Sequence, residues 1–483
     1  MLALLCAKLC PMTEFVHLHV HSHYSMLDGM SKVPDLVDKC MNNGMRAMAL
    51  TDHGCMFGIK DFCDYVGKVN GAPKKKIKDC KEDIEKTTDE AKLAELKEKL
   101  KKLEADAAAF VPFKPIIGTE AYCARRTLHD KDKTYKETDP ETGRDYIPDR
   151  NGWHLILLAK NKTGYLNLCK LASQAYVDGF YGKPRIDKNI LEKYHEGLIV
   201  CSACLGGEIP QKIIAGDIKG AEEAVMWFKN IFGDDYYIEL QRHKTDKPNA
   251  SYDTFERQEH VNPILVDLAR KCGVKIICTN DVHFVEENHG EAHERLVCLS
   301  TGQDYDDPNR SMMYTKQEWL KTPDEMAAIF PDYPEALANT IEIANKVEMF
   351  SIDSGPIMPK YDIPEEFGTE EQYRRRFTDE DLFNEFTRDE KGQVVLSQED
   401  AEKKIKNLGG YEKLYRIKLE ADYLSKLAWE GAAMRYGAKL NWDEENNRYE
   451  VELEQRAKDQ IVFELHIMKT MGFPGYFLIV MDF

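Results

Sequence analysis

No run of about 20 consecutive apolar residues occurs in the sequence, and a helical membrane span needs one. The basic excess of a general nucleic-acid coat is also missing, because the formal net charge is −18. That balance leaves room for a local basic groove, or for metal ions that neutralise an acidic site. The N-terminus, MLALLCAKLCPM, lacks the long apolar stretch and small-residue cleavage site of a secretory signal. It reads as an extension over 1–13, with Met12 the natural start. Thirteen cysteines in a chain of 483 residues lie mostly inside apolar runs, which fits reduced thiols in the cytoplasm and not a disulfide framework. Cys201 and Cys204 form one C-x-x-C, but no second pair stands at zinc-ribbon spacing. Cys201 therefore reads as core and Cys204 as a single thiolate ligand.

What the sequence does hold is histidine in one place. The stretch Phe15 to Gly29, FVHLHVHSHYSMLDG, carries His17, His19, His21 and His23. A solvated strand rim would explain any one of them, but packing does not explain the group. Alternate residues of a strand point the same way, so His19 and His21 can reach one ion together. Asp28 follows in a turn.

Downstream, strand-like and helix-like segments alternate, the pattern of an α/β sheet or barrel. Arg46 to Leu50 delivers Thr51, Asp52 and His53 at its end. Pro115 to Tyr122 carries Glu120, Trp153 to Ala159 carries His154, and Gly197 to Ala203 ends at Cys204. Tyr236 to Gln241 is a further strand, and Val274 to Thr279 releases Asp281 and His283. Lys74 to Ala109 reads as an antiparallel helical hairpin, with Thr87 and Glu90 as a capping box after the separate helix Phe57 to Val66. Arg125 to Arg150 reads as an exposed arm. A helix is expected from Pro263 to Cys272 and another over Pro323 to Val347. Thr369 to Gly410 reads as a charged insertion, and Tyr411 to Tyr436 and Val451 to Met471 as long helices. The final PGYFLIVMDF reads as strand-like, and its apolar character suggests a chain cut inside a domain.

Nine ligand-type residues thus sit near strand ends: His19, His21, Asp28, His53, Glu120, His154, Cys204, Asp281 and His283. In a β/α barrel the strand ends converge on one face. Histidine, carboxylate and one thiolate suit zinc, manganese or iron. Nine donors suit two or three ions, which clamp the oxygens of an in-line phosphoryl displacement. The argued chemistry is metal-dependent phosphoester hydrolysis. His17 and His23 read as supporting or surface residues, His243 as a pocket-lining candidate, and His260, His289 and His293 as surface. Lys183 and Arg185 are candidates for a phosphate contact.

The runs HLHVHSHYSMLDG, TDHG (51–54), GTEAY (118–122), CLGGEIP (204–210) and TNDVHF (279–284) resemble the polymerase-and-histidinol-phosphatase (PHP) domain. More narrowly they resemble the PHP domain that opens bacterial replicative DNA polymerase III alpha subunits. MGFPGYFLIVMDF (471–483) is similar to the start of that family's palm domain. The resemblance implies a distorted seven-stranded β/α barrel over 14–290, interrupted by the helical insertion 70–112 and the arm 124–150. A mainly helical partial palm domain over 291–483 follows, with the charged insertion at 368–410. It implies that the nine residues are the metal ligands and that the site performs 3′–5′ exonuclease proofreading. It implies DNA primer–template, dNTP, the sliding clamp and other polymerase III subunits as partners of the whole protein, in the cytoplasm. The family's Mg²⁺-binding polymerase aspartates have no match in this chain. Asp130 and Asp132, and Asp379 and Asp381, stand in charged loop-like insertions and read as solvated. Two other readings stay open: a phosphatase of small phosphomonoesters, which has no need of the chain beyond Gly290, and a metal-stabilised docking domain without catalysis.

Overall fold

Short runs of buried aliphatic residues build the central sheet. The computed structural model describes residues 14–483 except 27, 139–144, 308–309, 356–358, 438 and 444–447, so the expected extension over 1–13 lies outside the described residues. The strands are β1 (Ala47–Leu50), β2 (Lys114–Cys123), β3 (Trp153–Ala159), β4 (Arg185–Ile186), β5 (Leu198–Cys201), β6 (Tyr236–Leu240) and β7 (Lys275–Cys278). They lie in the order β1-β2-β3-β5-β6-β7, with β4 beside β2. Most neighbours are parallel, but β3 runs antiparallel to both β2 and β5.

The opening stretch is not the regular strand expected. It is extended but bends at His19, and it pairs only through bridges, His17 with Met48 and Val20 with Val282. Ala49 N donates to His17 O at 2.8 Å, and His21 N donates to Val282 O at 2.7 Å. The stretch therefore joins the two edges of a curled mixed sheet, the barrel-like α/β architecture expected. Both faces of that sheet are buried. In β3, Leu155, Leu157 and Ala159 enter one apolar cluster, while Ile156 and Leu158 enter another. A sheet covered on both sides needs continuous apolar strands, which is how these segments read.

The helices differ from expectation in extent. Phe57 to Val66 is not separate from the insertion: one helix runs over Ile59–Lys86 and packs against Glu90–Ala109. The cap of the second helix is Asp89, whose carboxylate accepts from Ala91 N and Lys92 N, and not Thr87, whose hydroxyl turns back to Asp83 O. The helix before β7 spans Asp253–Cys272 and carries Pro263 inside it. Pro323 to Val347 divides into Pro323–Ile329 and Pro334–Lys346, each opened by a proline in its first turn. The arm contains a short antiparallel pair, Glu137–Thr138 with Asp145–Tyr146, and its turn lies outside the described residues.

The described chain divides into two compact units, one ending at Ile352 and one spanning Asp353–Phe483. The first reaches beyond residue 290 because helix Pro334–Lys346 gives Ile343 and Ala344 to the smaller sheet cluster. In the second, the charged stretch after Thr369 folds into helices Glu370–Arg376, Asp379–Thr387 and Gln398–Asn407. Asp379 and Asp381 are therefore helical, and Asp381 accepts from Thr378 N at 2.8 Å as a cap. The long helix expected over Val451 to Met471 spans Gln455–Thr470, and Val451 ends a short strand, Arg448–Val451. The final apolar run is helical over Pro474–Asp482, not a strand: its buried residues Pro474, Gly475 and Leu478 repeat at helical spacing. Among the described residues no helix is long and apolar enough to cross a membrane.

Candidate metal centre

The sheet register brings the sequence-predicted donors together. His53 bridges Glu120, His154 stands opposite Tyr122, and His154 bridges Gly207. Because β3 is antiparallel, His154 reaches this rim from the beginning of its strand, where the donors of parallel strands arrive from their ends. Asp281 and Ala203, the residue before Cys204, take left-handed backbone at φ +47° and +64°. Such conformations cost energy in non-glycine residues and concentrate where a side chain must be aimed.

Three groups of donors have ligand atoms mutually within 4.8 Å: His21, His53 and His283; His19, His21 and Asp281; Glu120, His154 and Cys204. Asp281 Oδ1 lies 3.1 Å from His19 Nε2 and 3.2 Å from His21 Nε2. Glu120 sits between groups, 2.7 Å from His154 Nδ1, 3.5 Å from His19 Nε2 and in contact with His53 Nδ1. The ninth residue, Asp28, is 3.3 Å from His53 Nε2. His21 stacks on His53 and His283 with ring centroids 4.0 and 4.4 Å apart.

The electrostatics are those of donors competing for too few protons. Burial, and then His53 and His283, push His21 down to about 3. Burial also works against the charged forms of Asp28 and His53, but their ion pair holds Asp28 down to about 2. Glu120 joins Asp28 in holding His53 up to about 10. Burial raises the Cys204 thiol, and Glu120 and Asp281 raise it further. Buried atoms facing this space lack a hydrogen-bond partner of good geometry: His19 Nε2, His21 Nε2, Asp28 Oδ1, His53 Nδ1, Glu120 Oε2 and Asp281 Oδ1. Unpartnered buried polar atoms are costly, and converging ones fit divalent cations. The donor set therefore fits a cluster of more than one ion.

Residues that the sequence reading missed hold these donors in place. Glu239 Oε1 is 2.7 Å from His19 Nδ1, Ser25 Oγ is 3.0 Å from His21 Nδ1, and the Asp281 carbonyl is 2.8 Å from His283 Nδ1. Asp52 accepts from Ser22 N and Ser25 Oγ and so fixes the turn after His21. The signal for Glu239 was available: a carboxylate inside the otherwise apolar YYIEL. His293, expected at the surface, is buried with Nε2 2.7 Å from the Asp28 carbonyl and its ring against His283 and Tyr314. Its position on helix Gly290–Thr301 turns it inward, which no local pattern reveals. His17 is buried on Lys321 O, His23 touches Ser31 O, and His243 is buried on Asn280 O and Gln258; none joins the donor groups. Arg185 is not free for phosphate. It is buried, and its guanidinium donates to the carbonyls of Gly179, Leu128, Asp130 and Asp149.

Comparison with known proteins finds matches along nearly the whole chain. Residues 17–243 match the PHP domain, and residues 422–483 match the bacterial DNA polymerase III alpha NTPase domain. Asp281 and His283 lie beyond the first match. The chain is 36% identical to a DNA polymerase III subunit alpha of Borreliella burgdorferi, over 98% of this chain and 30% of the relative. It is 32% identical to the subunit of the same name from Treponema pallidum, over 97% of this chain and 29% of the relative. The Thermus aquaticus subunit is also 32% identical, over 97% and 33%. The chain thus spans about 30% of the length of the curated relatives it matches. It carries stretches that match the PHP and bacterial DNA polymerase III alpha domains, and nearly its whole length is similar to part of bacterial DNA polymerase III alpha subunits.

Proposed function

We propose that the described site is a metal-dependent phosphoesterase that removes nucleotides from a 3′ end of DNA, in the manner of a proofreading exonuclease. One observation carries this reading: eight donors from distant parts of the chain form three adjoining groups, Asp28 stands against His53, and six of these nine residues have an unpartnered buried atom. The proposed ligands are His19, His21, Asp28, His53, Glu120, His154, Cys204, Asp281 and His283, and the proposed ions are zinc, manganese or iron. Bound divalent ions supply Lewis acidity and charge neutralisation to a phosphoester. The chain's own part is to bind and orient. Glu239, Ser25 and the Asp281 carbonyl fix the histidine rings, and burial keeps bulk water from His19, His21, Glu120 and His283.

The PHP domain is proposed to span 14–290, followed by polymerase sequence. For the whole protein, primer–template DNA, dNTP with Mg²⁺, the sliding clamp and other polymerase III subunits are the proposed partners. The test is trimming of a labelled primer by the purified chain with Mn²⁺ or Zn²⁺. Asp28→Ala and His283→Ala should each abolish it, and unchanged trimming by both variants would sink the proposal.

A further inference from the structure

Beside the donor cluster lies a feature that metal binding leaves unexplained. Phe57, Tyr176 and Phe180 are large aromatic residues left 60%, 41% and 50% exposed. Their rings nevertheless adjoin one another, Phe57 with Tyr176 at 6.0 Å and Tyr176 with Phe180 at 6.3 Å between centroids. Phe57 follows the turn that presents His53, and Phe180 precedes the turn that presents Lys183. The Lys183 ammonium stands 5.1 Å from the centre of the Tyr122 ring, which itself lies 5.2 Å from the His154 ring. Lys183 is thus one aromatic ring away from a proposed metal ligand.

This turn is rigid. Tyr181 N donates to Lys183 O at 3.0 Å, and Gly182 takes φ +75°. The buried Arg185 ties the next residues to four carbonyls. Pro184 packs so closely on Gly54 that a Cβ there would meet its Cγ at 2.8 Å. The side chain of Arg150 lies over Gly182 with similar closeness. Other cations nearby are engaged: Arg125 with Glu137, Arg126 with Asp149, and Lys188 with Glu208. Lys183 and Arg150 have no carboxylate partner among the described residues.

In a chain of net charge −18, cations with no carboxylate partner among the described residues, at the turn that follows the exposed Phe180, form with such rings the combination that holds an unpaired polynucleotide. We infer that Phe57, Tyr176, Phe180 and Lys183 form a landing rim for single-stranded nucleic acid. The rings stack the bases, and Lys183, with Arg150 beside it, takes a phosphate next to the one to be cleaved. The inference rests on the phosphoesterase reading and makes its substrate a strand, not a small phosphomonoester. The unpaired end of a strand enters such a rim, whereas a paired duplex hides the base faces that the rings would stack.

The test compares a single-stranded oligonucleotide with bis(p-nitrophenyl) phosphate, a small diester that cannot reach the rim, using the full Mn²⁺-loaded chain. Phe180→Ala and Lys183→Ala should each raise KM for the oligonucleotide about tenfold with kcat nearly unchanged, the loss expected for one stacked base or one charge-assisted contact. Both should leave the small diester untouched, and Lys183→Arg should restore most of the affinity. Lys183→Ala should also flatten the logarithmic salt dependence of oligonucleotide binding by about 0.7, the share of one single-strand phosphate. An abasic oligonucleotide should lose the effect of Phe180→Ala and keep that of Lys183→Ala. Wild-type KM in both alanine variants, or equal losses on the small diester, would overturn the inference. If the wild type cleaves neither substrate, the phosphoesterase reading fails. Fluorescence anisotropy with the labelled oligonucleotide then still decides the rim, since binding unaltered by both substitutions refutes it.

Discussion

Glu239 Oε1 lies 2.7 Å from Nδ1 of His19, and this hydrogen bond decides which ring nitrogen faces the donor cluster. With Nδ1–H donating to the carboxylate, Nε2 is the nitrogen turned to where a metal ion would bind, 3.1 Å from Asp281 and 3.5 Å from Glu120. Gln241 Nε2 donates to the same Glu239 oxygen at 2.9 Å, and the Thr279 hydroxyl donates there too. A carboxylate so placed raises the basicity of a ligating imidazole and fixes its tautomer. Glu239→Gln should therefore weaken metal affinity by about 10- to 100-fold without unfolding the protein. Competition with a calibrated chelator reads that change, and an affinity equal to wild type would assign Glu239 to packing alone.

Metal should stabilise the fold as well as serve chemistry. Ligand atoms that converge without partners are an unfavourable arrangement which a cation relieves. Adding Zn²⁺ or Mn²⁺ at about 100 times its dissociation constant should contribute about 2.7 kcal/mol to unfolding. Calorimetry of the wild type with and without chelator measures it. The gain should be largely absent in His21→Asn, which removes a donor shared by two of the three groups. A melting temperature indifferent to metal would count against the site.

The alkaline stability profile carries a separate signature. Burial holds the Lys321 amine down to about 8 from its ordinary 10.5, against the opposing pull of Glu318 and Glu325. Below the lower value the group is charged in both folded and unfolded chains, and the fold bears the whole cost. Between the two values the folded chain releases the proton while the unfolded chain keeps it, so stability rises with pH. The gap corresponds to about 3 kcal/mol. Urea unfolding across this window should show a rise for the wild type that is flatter in Lys321→Met. Parallel profiles for the two proteins would refute the assignment.

Arg185 should matter to stability before it matters to any ligand. Removing its guanidinium leaves the carbonyls of Gly179, Leu128, Asp130 and Asp149 without their donor in a buried setting. Arg185→Met should cost about 3 kcal/mol or more. Arg185→Lys should recover little of it, because an ammonium cannot reach four carbonyls from one planar fork. Denaturant midpoints decide this, and a loss below about 1 kcal/mol would contradict the anchoring role.

Much of this molecule was legible because its information is local. A strand that must be buried on both faces has to be continuously apolar, so β1, β3, β5 and β7 stand out from the chain. Donor residues placed directly after such runs announce a common rim, and His53, Cys204 and Asp281 could be found that way. Caps and helix limits were less legible. Whether Thr87 or Asp89 caps a helix depends on a backbone turn that both residues permit. The apolar run at the end has no alternation to separate strand from helix, and one-sided burial of Pro474, Gly475 and Leu478 settles it.

The sequence by itself determined the donor inventory, the α/β alternation and the acidic balance, because each follows from residue type and short-range spacing. Only the tertiary structure decided which side chains support those donors. Glu239 meets His19 across 220 positions, and His293 meets the Asp28 carbonyl across 265. It also decided that Arg185 is an anchor while Lys183 two residues earlier stays exposed. Pairing at such separation is fixed by sheet register and by closure of the curled sheet through Val20 and Val282, and no local pattern encodes either.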